Sequence, residues 1–151
     1  MSGRLLLVSS GGGHLAHLWR LEPIWRDRDR AWVCLDQPDA RARLVGERVH
    51  WAHGPTTRSL RMLARNTVLA RRVLAQERPA WILSTGAAVA VPFFWLARAY
   101  GARAVFLEVI DRIDTASLTG RAVAPVAHRV LVQWPEQLVH YPRAECVGTL
   151  W

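Results

Sequence analysis

The sequence predicts an α/β fold, a doubly wound and Rossmann-like parallel sheet. Three observations predict it. Short, wholly apolar runs such as LLLV at 5–8 are too brief for helices and suit strands buried on both faces of a parallel sheet. Between such runs the apolar residues recur at helical spacing. The connections are short, which keeps successive elements on one sheet. With 151 residues the chain is sized for a single domain, 1–151.

Taken in order, residues 5–8 form the first strand and end in a glycine turn. Residues 14–26 carry Leu15, Leu18, Leu21 and Trp25 at the spacing of one helical face. Residues 31–35 are the second strand, closed by Asp36. Residues 38–47 suit a short helix and 48–51 a weak third strand, with Gly54 and Pro55 marking a turn. A long helix is expected over 58–77, ended by Pro79. Residues 81–84 are the fourth strand, and Thr85 and Gly86 open a loop. Pro92 fits the first turn of a helix running to about Tyr100 and stopping at Gly101. Residues 103–107 form a strand ending at Glu108. After it come a partly helical stretch at 117–128, a strand at 129–133, a helical turn at 135–140 and a last strand at 145–147.

Composition removes whole chemistries. The chain has 20 basic and 12 acidic residues, a net charge of +8, and every basic residue is arginine. Without lysine there is no Schiff base, no P-loop lysine and no lysine general base. The surface attracts anions, whether nucleic acid, acidic lipid or phosphate. Cys34 and Cys146 belong to no Cys-x-x-Cys pair, so neither a metal site nor a disulfide framework is indicated, and no cofactor is expected. Cys34, inside an apolar run, reads as a small core residue. Residues 1–4 lead into only four apolar residues, unlike a signal peptide, and the longest uncharged apolar stretch, 87–97, is about half a bilayer span. The expectation is a cytoplasmic chain with peripheral attachment to the inner face of a membrane left open.

In a doubly wound sheet, ligands lie beyond the carboxyl ends of the strands where the strand order reverses. For the order 3-2-1-4-5-6 the reversal falls between the first and fourth strands. These end in SSGGGH at 9–14 and STGA at 84–87. Two glycine-bearing loops, each leading to a helix start, suit a phosphate or diphosphate, because backbone N–H groups approach closely and the helix dipole favours negative charge. The candidate anion-binding residues are Gly11, Gly12, Gly13, Thr85 and Gly86. The plainer account is that the glycines only make a tight turn. Gly11, Gly13 and Ala16 also fit a dinucleotide fingerprint, with Asp36 at the place of a ribose-binding acid, but His14 is bulky beside its last glycine. His14 reads either as a helix cap or surface residue, or as a phosphate donor or general base near neutral pH. Glu108, at the end of an interior strand, faces the crevice or pairs with an arginine.

Along the helix at 58–77, Arg58, Arg61, Arg65 and Arg72 fall on one stripe, with Leu60, Leu63, Val68, Leu69, Val73 and Leu74 as the apolar remainder. That is either a solvated basic face or a contact for acidic headgroups or a lipid diphosphate, with Met62, Phe93, Phe94 and Trp95 as apolar neighbours. No helix-turn-helix, zinc-finger or stacking motif supports nucleic-acid binding.

Four stretches carry a family resemblance: 9–15 (SSGGGHL), 84–97 (STGAAVAVPFFWLA), 106–120 (FLEVIDRIDTASLTG) and 132–148 (VQWPEQLVHYPRAECVG). They resemble the acceptor-side subunit of split GT-B glycosyltransferases, the PssD-type exopolysaccharide proteins and their eukaryotic relative in dolichol-linked oligosaccharide synthesis. The resemblance implies the N-terminal half of a GT-B fold, like that half of MurG. It implies a separate partner chain that holds a UDP-sugar of the UDP-N-acetylglucosamine type. It also implies a polyprenyl-diphosphate-linked acceptor at the cytoplasmic face of a membrane. By motif, Gly11, Gly12, Gly13, His14 and the Thr85-Gly86 loop would meet the acceptor diphosphate, and Glu108 matches the family acid. His14 is then the first candidate base and Glu108 the second. Val109 stands where the family has a serine, and Asp111 is an added acid. The eukaryotic relative carries an N-terminal membrane anchor, which these motifs do not include, so attachment would rest on the partner, the basic helix and the helix at Pro92. The other reading, from a different class, is a non-catalytic scaffold that recruits a complete enzyme to the membrane.

Overall fold

The computed structural model describes residues 3–56 and 59–150. Its centre is one seven-stranded sheet built from β1 (Leu5–Val8), β2 (Arg30–Leu35), β3 (Val49–Ala52), β4 (Trp81–Ser84), β5 (Arg103–Leu107), β6 (Arg129–Val132) and β7 (Glu145–Cys146). All pairings are parallel and the order is β3-β2-β1-β4-β5-β6-β7. The expected reversal between the first and fourth strands is therefore observed, and β7 extends the far edge.

The strands are buried on both faces, and alternate residues enter opposite cores. Leu6, Val8, Val33, Ile82 and Phe106 pack beneath α4 (Leu60–Glu77) and α5 (Ala90–Ala97), joined by α6 (Leu118–Val123). Leu5, Leu7, Trp32 and Cys34 pack on the other face, under α1 (Gly13–Arg20), α2 (Glu22–Trp25) and α3 (Pro38–Arg43). There Trp32 and Trp25 meet edge to face at 5.3 Å, and Trp25 donates its indole N–H to the Leu18 carbonyl at 2.8 Å. Cys34 is fully buried in this core, as its apolar setting implies.

Several elements depart from the simple periodic reading. The helix expected at 14–26 breaks into α1 and α2 at Leu21, because Pro23 lacks an N–H and its ring would strike the carbonyl of Trp19. The helix expected at 38–47 stops at Arg43. In α4 the described helix starts at Leu60, where the Ser59 hydroxyl accepts from the Met62 N–H at 3.3 Å. It ends at Arg78, left-handed with φ 44°, just before Pro79. Only the side with Asn66, Ala70, Val73, Leu74 and Glu77 faces inward; Leu60 and Val68 stand 83% and 60% exposed. The neighbours expected to share that surface divide as well. Phe93 and Phe94 are core residues because α5 is sandwiched between α4, α6 and the sheet, whereas Trp95 is exposed and Met62 half-buried.

At the amino end of the sheet lies a buried carboxylate. Glu77 accepts from Arg4 Nη1 at 2.8 Å, Arg48 Nη1 at 3.2 Å and His50 Nε2 at 2.7 Å. These bonds tie the residue before β1, the start of β3 and the last turn of α4 together. Burial disfavours the Glu77 charge, but the bonds and charges of His50 and Arg48 outweigh it and hold the carboxyl below the ordinary 4.5.

Candidate functional site

The two glycine loops meet at the carboxyl end of β1 and β4, and they are fastened to each other. His14 Nδ1 lies 2.9 Å from the Thr85 carbonyl, and the Thr85 hydroxyl donates to the His14 carbonyl at 2.7 Å. A carbonyl only accepts, so Nδ1 carries the proton and Nε2 is the basic nitrogen of the neutral ring. The Ser84 hydroxyl accepts from the Gly86 N–H at 3.0 Å and shapes the second loop. Gly86 has φ +117°, and a Cβ there would lie 2.9 Å from His14 Cε1, so only glycine lets the imidazole rest on the loop. The next residue, Ala87, is also left-handed at φ 68°, a strained conformation for a side chain and one that lines the site.

Two adjoining cavities of about 630 and 670 Å³ share His14, Ala87, Leu118 and Thr119 as a common wall. The second is floored by Ser10, Gly11 and Gly12 and runs on, past Leu35 and Gln37, into a third of about 540 Å³ that reaches Arg65. Together they form a trough along the carboxyl edge of the sheet. No side chain caps α1, whose start faces this trough. One amide of the glycine loop already holds an anion of the chain's own: Gly12 N–H donates to Asp39 Oδ2 at 2.6 Å. Any external anion at Gly12 therefore competes with that carboxylate.

Of the expected site residues, Gly11, Gly12, Gly13, His14, Thr85 and Gly86 are brought together at one junction. Glu108 is set behind it. Its carboxylate is 1% exposed and its partners are neither a ligand crevice nor an arginine. Oε1 accepts from the Val109 N–H and Oε2 from the Ser117 N–H, each at 3.0 Å, and Oε2 also accepts from the Tyr141 hydroxyl. Asp36, the ribose acid of the dinucleotide alternative, is clamped by Arg41, with Nη2 to Oδ2 at 2.7 Å. Arg61, Arg65 and Arg72 are exposed on α4, away from the junction except that Arg65 borders the third cavity. Arg58 lies outside the described residues.

Two charged or titratable residues of the first cavity, His17 and Arg112, were not singled out in the sequence, and Asp111 was noted there only as an added acid beside the family motif. His17 is one helical turn beyond His14 and lines the same wall. Burial, then the neighbouring His14, lower its pKa, while Asp111 pulls the other way. The i, i+3 spacing was the available signal. Asp111 and Arg112 enter the cavity from the loop after β5, where periodicity carries no information.

The comparisons agree with this architecture. The family described as Oligosaccharide biosynthesis protein Alg14 like matches residues 35–150. The UDP-N-acetylglucosamine transferase subunit ALG14 of Debaryomyces hansenii is 32% identical over 116 residues, which is 73% of this chain and 48% of that protein. The subunit of the same name from Eremothecium gossypii is 30% identical over 118 residues, 75% of this chain and 53% of that protein. The chain thus spans about half the length of the curated relatives it matches. Among solved structures, Acinetobacter baumannii MurG aligns with a TM-score of 0.71 at 16% identity, over 87% of this chain and 41% of that one. UDP-N-acetylglucosamine 2-epimerase from Rickettsia bellii aligns with a TM-score of 0.74 at 10% identity, over 97% and 45%. A transferase and an epimerase at these identities share the fold alone; activity is decided by the site.

Proposed function

Because the chain belongs to the Alg14-like family of oligosaccharide biosynthesis proteins, we propose that it is the acceptor-side subunit of a split UDP-sugar transferase. The donor in this reading is of the UDP-N-acetylglucosamine type, after the names of its relatives. The acceptor is a sugar on a polyprenyl diphosphate, and a separate chain closes the trough and holds the nucleotide. The observation that carries the reading is the His14–Thr85 junction. It sets a basic imidazole nitrogen, an uncapped helix start and two glycine loops at the switch point of the sheet.

The chemistry follows from that placement. An acceptor hydroxyl attacks the anomeric carbon of the donor sugar, the new C–O bond forms, and the bond to UDP breaks with its electron pair leaving on the nucleotide. The hydroxyl proton passes to His14 Nε2. The amides at the start of α1 take the acceptor diphosphate, displacing Asp39 from Gly12. The membrane contact falls on α4, where Leu60 and Val68 project into solvent beside Arg61, Arg65 and Arg72. Among the described residues no helix is long and apolar enough to cross a membrane, so this contact is peripheral in the proposal.

The test is to co-express the chain with a candidate donor-binding chain and to assay transfer from UDP-N-acetylglucosamine to a lipid diphosphate. Transfer is expected from the pair and not from either chain alone. Full transfer by this chain alone would defeat the split-enzyme reading. The exposed Leu60 and Val68 also suit the scaffold reading, which predicts that His14→Ala leaves turnover unchanged.

A further inference from the structure

The loop 109–117, between β5 and α6, carries Asp111 and Arg112 into the first cavity, across from His14 and His17. It has no helix or strand of its own, yet its backbone carbonyls at 109, 110, 112 and 114 are held by one segment, 133–141. Gln133 Nε2 donates to the Glu108 carbonyl at 2.9 Å, and Trp134 Nε1 to the Ile110 carbonyl at 2.8 Å. Gln137 Nε2 lies 2.6 Å from the Arg112 carbonyl, and His140 Nε2 lies 2.7 Å from that of Asp114. Tyr141 donates its hydroxyl to Glu108 Oε2, the oxygen that also takes the Ser117 N–H. Gln133 and Gln137 are buried, at 1% and 0% exposure, so these bonds are made away from competing water. Gly120 completes the fit: a Cβ there would fall 1.9 Å from the Tyr141 hydroxyl and 2.7 Å from Glu108 Oε2. Burial, then the bond to Glu108, push the Tyr141 pKa well above its usual value, which keeps the hydroxyl a donor.

Three of these five side chains, Gln133, Gln137 and Tyr141, are buried, and together the five fix a loop that could otherwise be left to solvent. Among the described residues no carboxylate lies in salt-bridge range of the Arg112 guanidinium, and Arg112 lines the cavity that also holds Gly13 and His14. We propose that Arg112 is the side-chain cation that pairs with the bound diphosphate, and that Glu108, Tyr141 and segment 133–141 are positioning residues that hold it there. The proposal rests on the reading of the trough as a diphosphate site. Arginine suits the task because its planar fork meets two phosphate oxygens at once.

The experiment uses the full chain with inorganic pyrophosphate as the probe, read by calorimetry, and amide hydrogen exchange as a second measurement. Arg112→Gln is expected to weaken pyrophosphate binding at least about tenfold, the effect of one charge-assisted pair. Tyr141→Phe is expected to weaken it several-fold and to speed exchange of the Val109 and Ser117 amides. In the Arg112→Gln background, Tyr141→Phe is expected to weaken binding no further, because the clasp acts through Arg112. Wild-type binding by Arg112→Gln overturns the proposal, as does absence of pyrophosphate binding by the wild-type chain. Equal losses from Tyr141→Phe in both backgrounds, or unchanged loop exchange, overturn the clasp. Loss of transfer activity plays no part in these readouts. A chain that binds pyrophosphate through Arg112 but never supports transfer would sink the transferase reading and leave this inference standing.

Discussion

His14 draws its chemical identity from its partner on the other loop. On a free helix start it would be an ordinary surface histidine; the Thr85 carbonyl at 2.9 Å selects the tautomer and leaves Nε2 as the unprotonated nitrogen that the proposed base role requires. In the active complex, His14→Ala is expected to lower kcat by about 10²–10⁴-fold, the usual span for a lost general base. The chain should stay folded, which a thermal melt would show. Gly86→Ala should act on the same step from a distance. The added methyl meets His14 Cε1 at 2.9 Å and must adopt φ +117°, so the imidazole is pushed aside at a cost of about 1–3 kcal/mol. Unchanged kcat in that variant would refute the packing argument. Glu77 belongs to stability alone. Its carboxyl titrates below 4.5 in the folded chain, so its contribution is complete above that value and disappears as pH falls through the lowered one. Replacing it with glutamine should cost about 1–3 kcal/mol at pH 7, the range for hydrogen bonds to charged groups. Urea midpoints of the wild type and Glu77→Gln should converge as the pH drops below 4.5.

At the scale of elements, α4 serves two surfaces that the periodic pattern alone does not separate. Its inner side is narrow, because Ala70, Val73 and Leu74 suffice to seal the sheet, and Asn66 is used to hold both backbone groups of His53 at 2.9 Å. The apolar residues left over, Leu60, Leu63 and Val68, are therefore a surface feature and not part of the core. Vesicles with anionic headgroups should bind the chain, and binding should fall with rising salt. Exchanging Arg61, Arg65 and Arg72 for serine should abolish most of that binding, each arginine near the surface being worth about 1 kcal/mol. Salt-independent binding in the triple variant would put the membrane contact elsewhere. The tryptophan cluster on the opposite face is, by contrast, pure core: Trp32→Ala should destabilise by about 3–5 kcal/mol and leave vesicle binding unchanged.

For the whole molecule, the division between what was legible and what was not follows the range of the interactions. The apolar runs at 5–8 and 81–84 announced buried strands, and the turn residues around them announced where the loops would be. The break between α1 and α2 was missed by the periodic reading of 14–26, although its cause, Pro23, is a local steric fact. Less could be said of groups whose role depends on residues far along the chain. Thr85 reaches His14 across 71 positions, and Tyr141 reaches Glu108 across 33. Asp39 reaches Gly12 across 27. Those separations carry no periodic signal. Arg112 was invisible for the same reason, sitting in a loop whose shape is imposed by segment 133–141.

The amino-acid sequence by itself determined the layered α/β sheet, the place where its order reverses and the glycine loops that end there. These depend on side-chain burial and backbone freedom, which act within a few residues. Only the tertiary structure decided that the His14 ring is held by the Thr85 carbonyl, that Glu108 is turned inward onto Tyr141, and that Asp39 occupies the Gly12 amide of the loop. Each of these is a hydrogen bond between groups brought together by the sheet order, and a bond of that kind exists only once the whole chain has packed.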